Sequence, residues 1–261
     1  MLPMTGPPEV TQLLDQLLAG VSQALGGNLL GVYLCGSLAL GGFDRASSDV
    51  DVLVVTERPV TDAEFAVLGA LHRRLPPTGN DFALEYEVYY IDRATVRRFA
   101  PGQRHVKVGT DEALQWMQHR PNWVLERWTV RERGVTMVGP DPKTLIEPVS
   151  PAEMRKAAYD ELRERLQHWG DGTWPRTELL HRGAQGYEVE TTCRALFTIE
   201  TAAPHSKREA IDWALKKLPQ EWRPLLEWSQ QIRKDRTPDD TRIDEVLRFL
   251  QWAVASANET P

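Results

Sequence analysis

Two short apolar runs, and the glycine turn between them, constrain this chain most strongly. Residues 29–35 read LLGVYLC and residues 49–55 read DVDVLVV, and both have the length and the branched, apolar content of buried strands. Gly36 and Ser37 interrupt the first run, and mostly small residues follow them. This pattern predicts two strands that are separated by a glycine-containing turn.

The second run alternates acidic and apolar residues. Because successive side chains of a strand point to opposite faces, Asp49 and Asp51 share one face while Val50, Val52 and Val54 share the other. Two adjacent carboxylates repel each other unless a cation lies between them. Mg²⁺ is usually held by one or two carboxylates together with substrate phosphates. The pair therefore predicts a magnesium-bound triphosphate, and the valine face predicts the core.

A third predicted strand, residues 81–91 (DFALEYEVYYI), carries further acids. Glu85 and Glu87 share one of its faces, and parity alone does not choose between them. A third carboxylate beside Asp49 and Asp51 either completes a two-metal site or serves as the base for an attacking hydroxyl group.

The turn at Gly36 and Ser37 fits the same chemistry. Glycine lets the backbone approach a phosphate closely, and the Ser37 hydroxyl and nearby N–H groups can donate hydrogen bonds to phosphate oxygens. Taken singly, an Asp-x-Asp on a strand is more often an exposed edge than a metal site. In the order strand, Gly-Ser turn, Asp-x-Asp strand and later acid, these features predict transfer of a nucleotide from a metal-bound triphosphate.

Helical spacing dominates the remainder of the chain. Glycine and prolines between residues 139 and 151 interrupt the pattern, and we place a domain boundary there. We predict the α+β class, with a mixed sheet and helices over residues 1–150 and an all-helical bundle over residues 151–261. The predicted helices cover residues 9–25, 62–75, 152–168, about 185–202, 206–217, 221–234 and 240–256.

Charge and cysteine content limit the partners and the compartment. The net charge is −6 and the pI is about 5.6, which favours a small, cationic substrate over a long nucleic acid. The N-terminus lacks the pattern of a signal peptide, and no apolar run approaches the length of a membrane span. Two cysteines, Cys35 and Cys193, form no disulfide framework or zinc motif. We expect a cytoplasmic monomer without membrane or nucleic-acid partners.

Three segments resemble a known family. VYLCGSLALGGFDRASSDVDVLVV is similar to the signature of the DNA polymerase β-like nucleotidyltransferases. MVGPDPKTLIEPVSPAEM and the helical stretch YEVETTCRALFTIETAAPHSKREAIDWALKKLPQEWRPLLEWS resemble the interdomain segment and C-terminal domain of the aminoglycoside 3″-adenylyltransferases, which act on streptomycin and spectinomycin. The resemblance covers residues 30–260. It implies a polymerase β-like N-terminal domain and a helical domain that closes the substrate cleft.

The resemblance implies roles for individual residues. Asp49 and Asp51 match the metal-binding aspartates, and Glu87 matches the catalytic base and stands with them as a third acid at the metals. The implied cofactor is Mg²⁺, bound as two ions, and the implied co-substrate is ATP. The residues implied at the nucleotide are Gly36, Ser37, Ser48, Arg194 and Lys207, and those implied at the acceptor are Trp116, Trp169 and Asp171.

Departures from the family pattern leave the acceptor open. Ala184 and Tyr187 stand where acidic residues are expected, and the segment from Trp169 to Arg194 is longer than in the drug-modifying enzymes. The alternatives are a nucleotidyltransferase that acts on another small hydroxyl compound or on a protein, as toxins do, and a nucleotide-binding module without catalysis. The intact acidic set argues against the last of these.

Overall fold

The chain forms two compact units, Met1–Val149 and Ser150–Pro261. The computed structural model describes residues 8–41, 43, 48–75, 85–109 and 112–258. The first unit combines strands and helices and the second is helical, so the predicted α+β class is confirmed. In these described ranges, no helix is both long and apolar enough to cross a membrane.

A mixed sheet of six strands, counted over the described residues, forms the centre of the first unit. Its strand order is β5-β4-β3-β2-β1-β6, and only β2 and β3 run parallel to each other among the neighbouring pairs that the structure describes. The strands are β1 (Leu29–Leu34), β2 (Val50–Thr56), β3 (Tyr86–Asp92), β4 (Arg104–Gly109), β5 (Gln115–Gln118) and β6 (Val135–Val138).

Helices cover both faces of this sheet. Val50, Val52 and Val54 of β2 belong to one buried cluster with residues of α1 and α3, which confirms the predicted valine core. Leu53 and Val55 point the other way and pack with Trp123 and Val130 of α5. The helices of this unit are α1 (Pro8–Leu25), α2 (Gly36–Leu40), α3 (Asp62–His72), α4 (Arg93–Arg97), α5 (Asn122–Arg133) and α6 (Pro142–Leu145).

The second unit is built around one helix, α8. It packs against α7, α9, α10 and α11, and its side chains Val189 and Cys193 are fully buried. Ser206 and Glu209 form a capping box at the start of α9, as their spacing predicts. The helices of this unit are α7 (Pro151–Asp171), α8 (Arg182–Thr201), α9 (Lys207–Lys217), α10 (Arg223–Gln231) and α11 (Ile243–Asn258).

Two predicted strand limits need correction. The prediction that Asp49 begins the second strand is wrong, because pairing starts at Val50, whose N–H donates to the Glu85 carbonyl at 2.9 Å. The third strand begins at Tyr86, so Glu85 does not belong to it as predicted; residues 81–84 of that prediction lie outside the described residues. Both differences are at the beginning of a strand, where the alternation of acidic and apolar residues in the sequence extends beyond the first residue that pairs with a neighbouring strand.

Candidate active site

The parallel pair β2 and β3 brings two acids together. Asp51 and Glu87 are register partners, and directly opposed residues on neighbouring strands point to the same face. Both side chains are half-buried. Glu85 lies one residue before β3, outside this pairing. The structure therefore places Glu87, of the two glutamates that parity could not separate, next to Asp51.

The predicted turn at Gly36 and Ser37 is the point where β1 passes almost directly into α2, which begins at Gly36, and this turn is fitted closely to Asp51. The N–H of Cys35 donates to the Asp51 carbonyl at 3.0 Å, which ties the turn to β2. Gly36 follows with φ of +57°, and a Cβ placed on it would overlap the Asp51 carboxylate. Only glycine combines this backbone conformation with so close an approach.

Ser37 supplies an unused hydroxyl group beside that turn. Its Oγ atom is buried and has no hydrogen-bond partner within the described part of the chain. A buried hydroxyl without a partner is costly unless something else occupies it. The Ser37 hydroxyl is thus suited to donate to a phosphate oxygen, as the sequence predicts.

Negative charge accumulates at this end of the sheet. Burial raises the pKa of the Cys35 thiol well above its usual range, and the charges of Asp51, Glu126 and Glu87 raise it further. Cys35 is therefore a neutral, buried thiol and not a nucleophile. Glu126 belongs to α5, so alternation along the strands could not reveal this fourth acid.

The acids fit a magnesium site that substrate phosphates complete. Within the described ranges, no group of three His, Cys, Asp or Glu side chains is placed to hold a metal ion. The assignment of Asp49, Asp51 and Glu87 to the metals stays a prediction. Mg²⁺ needs only one or two protein carboxylates when phosphates supply other oxygens, and the half-buried Asp49 and Asp51 meet that requirement.

Glu87 is engaged by two other side chains. Lys107 Nζ lies 2.8 Å from Glu87 Oε1, and the Tyr89 hydroxyl donates a hydrogen bond to Glu87 Oε2. Burial, and next the charge of Glu87, raise the pKa of Tyr89 well above its usual range, so Tyr89 remains a donor. Sequence reasoning missed both residues, although the Glu87-to-Tyr89 spacing puts their side chains on one face of a strand.

The two predicted phosphate-binding cations share one neighbourhood in the second unit. Arg194 Nε donates to the His205 carbonyl at 3.0 Å, and Lys207 Nζ lies 5.0 Å from the centre of the Tyr187 ring. Burial raises the pKa of Glu190, and the charges of Arg233, Lys207 and Arg194 oppose that shift. Arg233, which sequence reasoning did not identify, donates to Glu190 and adds a third cation.

The predicted acceptor residues fall in different surroundings. Trp116 lies on the edge strand β5, is 38% exposed and stacks on Phe65 at 6.3 Å between ring centres. In the second unit, Trp169 packs edge-on against Trp174 at 5.0 Å. Asp171 is two residues further along α7, and hydrogen bonds from Thr173 lower its pKa. Trp169 and Asp171 are both near the end of α7, but residues two apart on a helix do not face each other, and their contacts are with different residues.

Two family models match the chain. A nucleotidyltransferase domain matches residues 14–101, and the C-terminal domain of aminoglycoside adenylyltransferase matches residues 144–255. These ranges contain every residue that the resemblance assigned except Trp116.

Curated relatives extend over nearly the whole chain. A spectinomycin 9-adenylyltransferase of Staphylococcus aureus is 28% identical and covers 93% of this chain and 94% of its own length. One of Campylobacter jejuni is 25% identical, with 94% of each chain covered. An aminoglycoside (3″)(9) adenylyltransferase of Escherichia coli is also 25% identical, over 94% of this chain and 93% of its own.

A solved structure shares the fold. The spectinomycin adenyltransferase AAD(9) from Enterococcus faecialis, crystallised with ATP and spectinomycin, matches with a TM-score of 0.75 at 17% identity. The match covers 95% of this chain and 99% of that one, so the fold similarity includes both units.

Substitution of Gly36 tests the close fit to Asp51. Gly36→Ala should destabilise the fold by about 3 kcal/mol, because left-handed backbone strain adds to the overlap with the carboxylate. Gly41→Ala is the matched control, since Gly41 also has positive φ, 73°, but a Cβ there meets nothing within 4 Å among the described residues. It should cost only about 1 kcal/mol. Denaturant unfolding measures both values, and equal losses would contradict the close fit.

Proposed function

The chain belongs to the aminoglycoside adenylyltransferase family, and on that premise we propose that it transfers AMP from magnesium-bound ATP to a hydroxyl group of an aminoglycoside such as streptomycin or spectinomycin. The observation that carries the proposal is the pairing of Asp51 with Glu87 next to the Gly36 turn. Acids in this position serve both tasks that nucleotidyl transfer requires, metal binding and proton removal.

In this mechanism, Asp49 and Asp51 would hold the magnesium, which would neutralise charge on the triphosphate. The Ser37 hydroxyl, buried and without a described partner, donates to a phosphate oxygen. Glu87 accepts the proton of the acceptor hydroxyl group. The acceptor oxygen attacks the α-phosphate and forms a bond to it, and pyrophosphate leaves. The roles of Gly36 and Ser48 at the phosphates stay predictions.

Arg194 and Lys207 are proposed to neutralise the triphosphate. Arg194 donates to the carbonyl of His205, two residues before Lys207, and this proximity within the helical unit supports a joint role. Arginine offers a planar fork of donors that suits phosphate oxygens, and lysine offers a compact charge. The likeness of residues 144–255 to the family's C-terminal domain supports the same assignment.

We place the reaction in the cytoplasm. Cys35 and Cys193 are both buried free thiols, which fits a reducing compartment. The monomeric state and the absence of nucleic-acid partners stay predictions.

One observation favours a second candidate acceptor. Tyr187 is 50% exposed, and the cations Lys207 and Arg165 lie 5.0 and 5.7 Å from its ring centre. A tyrosine between two cations offers less attraction to a cationic drug than the acidic residue expected at that position. This favours transfer to a different hydroxyl compound by the same active site.

Pyrophosphate release decides between these acceptors. We expect release from ATP and Mg²⁺ to increase when streptomycin or spectinomycin is added, compared with no acceptor. Stimulation by neither drug, with ATP still bound, would contradict the drug acceptor and favour the second candidate. Absence of ATP binding would contradict nucleotidyl transfer altogether.

Replacement of Glu87 and, separately, of Glu85 by glutamine tests which glutamate is the catalytic base. Glu87→Gln should lower kcat by about 10²- to 10⁴-fold, because the amide cannot accept the proton, while ATP binding stays within about twofold. Glu85→Gln is the matched control: the same change, two residues away and outside the pairing with Asp51, should leave kcat within about threefold. Steady-state kinetics and equilibrium ATP binding measure both, and full activity of Glu87→Gln would refute the assignment.

A further inference from the structure

We propose that Tyr89 and Lys107 are positioning residues that hold Glu87 ready for proton transfer. The proposal rests on the proposed function, since it gives Glu87 the role of the base. It goes further, because it assigns two residues that neither the sequence motif nor the acid pairing identifies.

Strand geometry places the three side chains on one face of the sheet. Glu87 and Tyr89 are two residues apart on β3, so both side chains point the same way. Lys107 on β4 is the antiparallel register partner of Tyr89. Asp51 on β2 is the parallel register partner of Glu87. Glu87 is thus flanked by Asp51 on one side and by the Tyr89–Lys107 pair on the other.

Each oxygen of the Glu87 carboxylate has its own donor. Lys107 Nζ contacts Oε1 at 2.8 Å, and the Tyr89 hydroxyl donates to Oε2. The ion pair is only partly open to water, because the Glu87 and Lys107 side chains are 31% and 21% exposed. Two donors from different strands fix both the position and the tilt of the carboxylate plane, which a single contact cannot do.

A buried aromatic group holds Tyr89 in turn. Its ring meets Trp123 edge-on at 5.4 Å and lies 5.7 Å from His105. Trp123 and His105 are only 5% and 3% exposed. Behind them, the buried Arg127 donates to the carbonyls of Val96, Trp123 and Thr95. A phenol that is packed in this way has little freedom to turn its hydroxyl away from Glu87.

The same contacts assign proton transfer to Glu87 and metal binding to Asp51. The Lys107 ammonium group beside Oε1 repels a second cation, whereas Asp51 lies on the opposite side against Gly36. The remaining lone pairs of Glu87 can still accept a proton from a hydroxyl group. Tyr89 and Lys107 therefore favour Glu87 as a base over Glu87 as a metal ligand.

The test removes each donor with little change of shape. Tyr89→Phe and Lys107→Met should lower kcat for pyrophosphate release by about 10- to 100-fold and leave KM for ATP within about twofold, because orientation and not binding is lost. Lys107→Arg should restore kcat to within about threefold. Tyr33→Phe is the matched control, since Tyr33 donates instead to the Pro140 carbonyl at 2.8 Å, and its kcat should not change.

Double variants distinguish positioning from support of the fold. In a Glu87→Gln background, Tyr89→Phe should cause no further loss of the residual rate, because the residue that it positions is already disabled. An equal loss in both backgrounds, or a change confined to KM, would overturn the proposal. Crystal structures of the full-length wild type and of Tyr89→Phe give a readout without turnover. The proposal requires that the Glu87 carboxylate rotates or disorders in the variant, even if neither drug proves to be an acceptor.

Discussion

Mutual repulsion of carboxylates at one end of the parallel β2–β3 pair is the constraint on which the rest of the site depends. Asp51 and Glu87 are held side by side by backbone pairing, and Glu126 adds a further charge from α5. Such an arrangement is stable only when cations or donors compensate it. Lys107 and Tyr89 do so for Glu87, while the Asp51 carboxylate lies against Gly36, where only a residue without a Cβ can come so close.

The sequence was sufficient for the faces of the strands but not for their pairing. Because strand side chains alternate between faces, the sequence predicts that the side chains of Asp51 and Val52 point to opposite faces of the sheet. The burial of Val52 in the core confirms this. Strand parity alone did not choose between Glu85 and Glu87, and the family resemblance indicated Glu87. The pairing of Glu87 with Asp51 became visible only in the parallel register, which depends on long-range contacts that no local pattern encodes. Lys107 and Glu126 lie in a stretch with no clear period, so their place near the acids became visible only in the folded chain.

The helical unit shows the same division. The spacing of apolar residues and capping residues such as Ser206 predict its helices. No sequence pattern predicts which charged residues pair in its interior. Arg165 is buried against Glu188 at 2.6 Å, and Arg233 is paired with Glu190. Removal of one partner from a buried pair leaves an uncompensated charge, so loss of either partner should destabilise the helical unit. Tyr187 is on the same helix, and its cationic neighbours are a feature in which this chain differs from the expected acidic pattern.

The most direct test of the central claim is calorimetric titration of ATP into the wild type and an Asp51→Asn variant, with and without Mg²⁺. If Asp51 holds a metal that the triphosphate completes, Mg²⁺ should tighten ATP binding to the wild type by at least about tenfold and should have little effect on the variant. An equal effect of Mg²⁺ on both proteins would contradict the account, because the metal would then bind without the carboxylate around which the site is built.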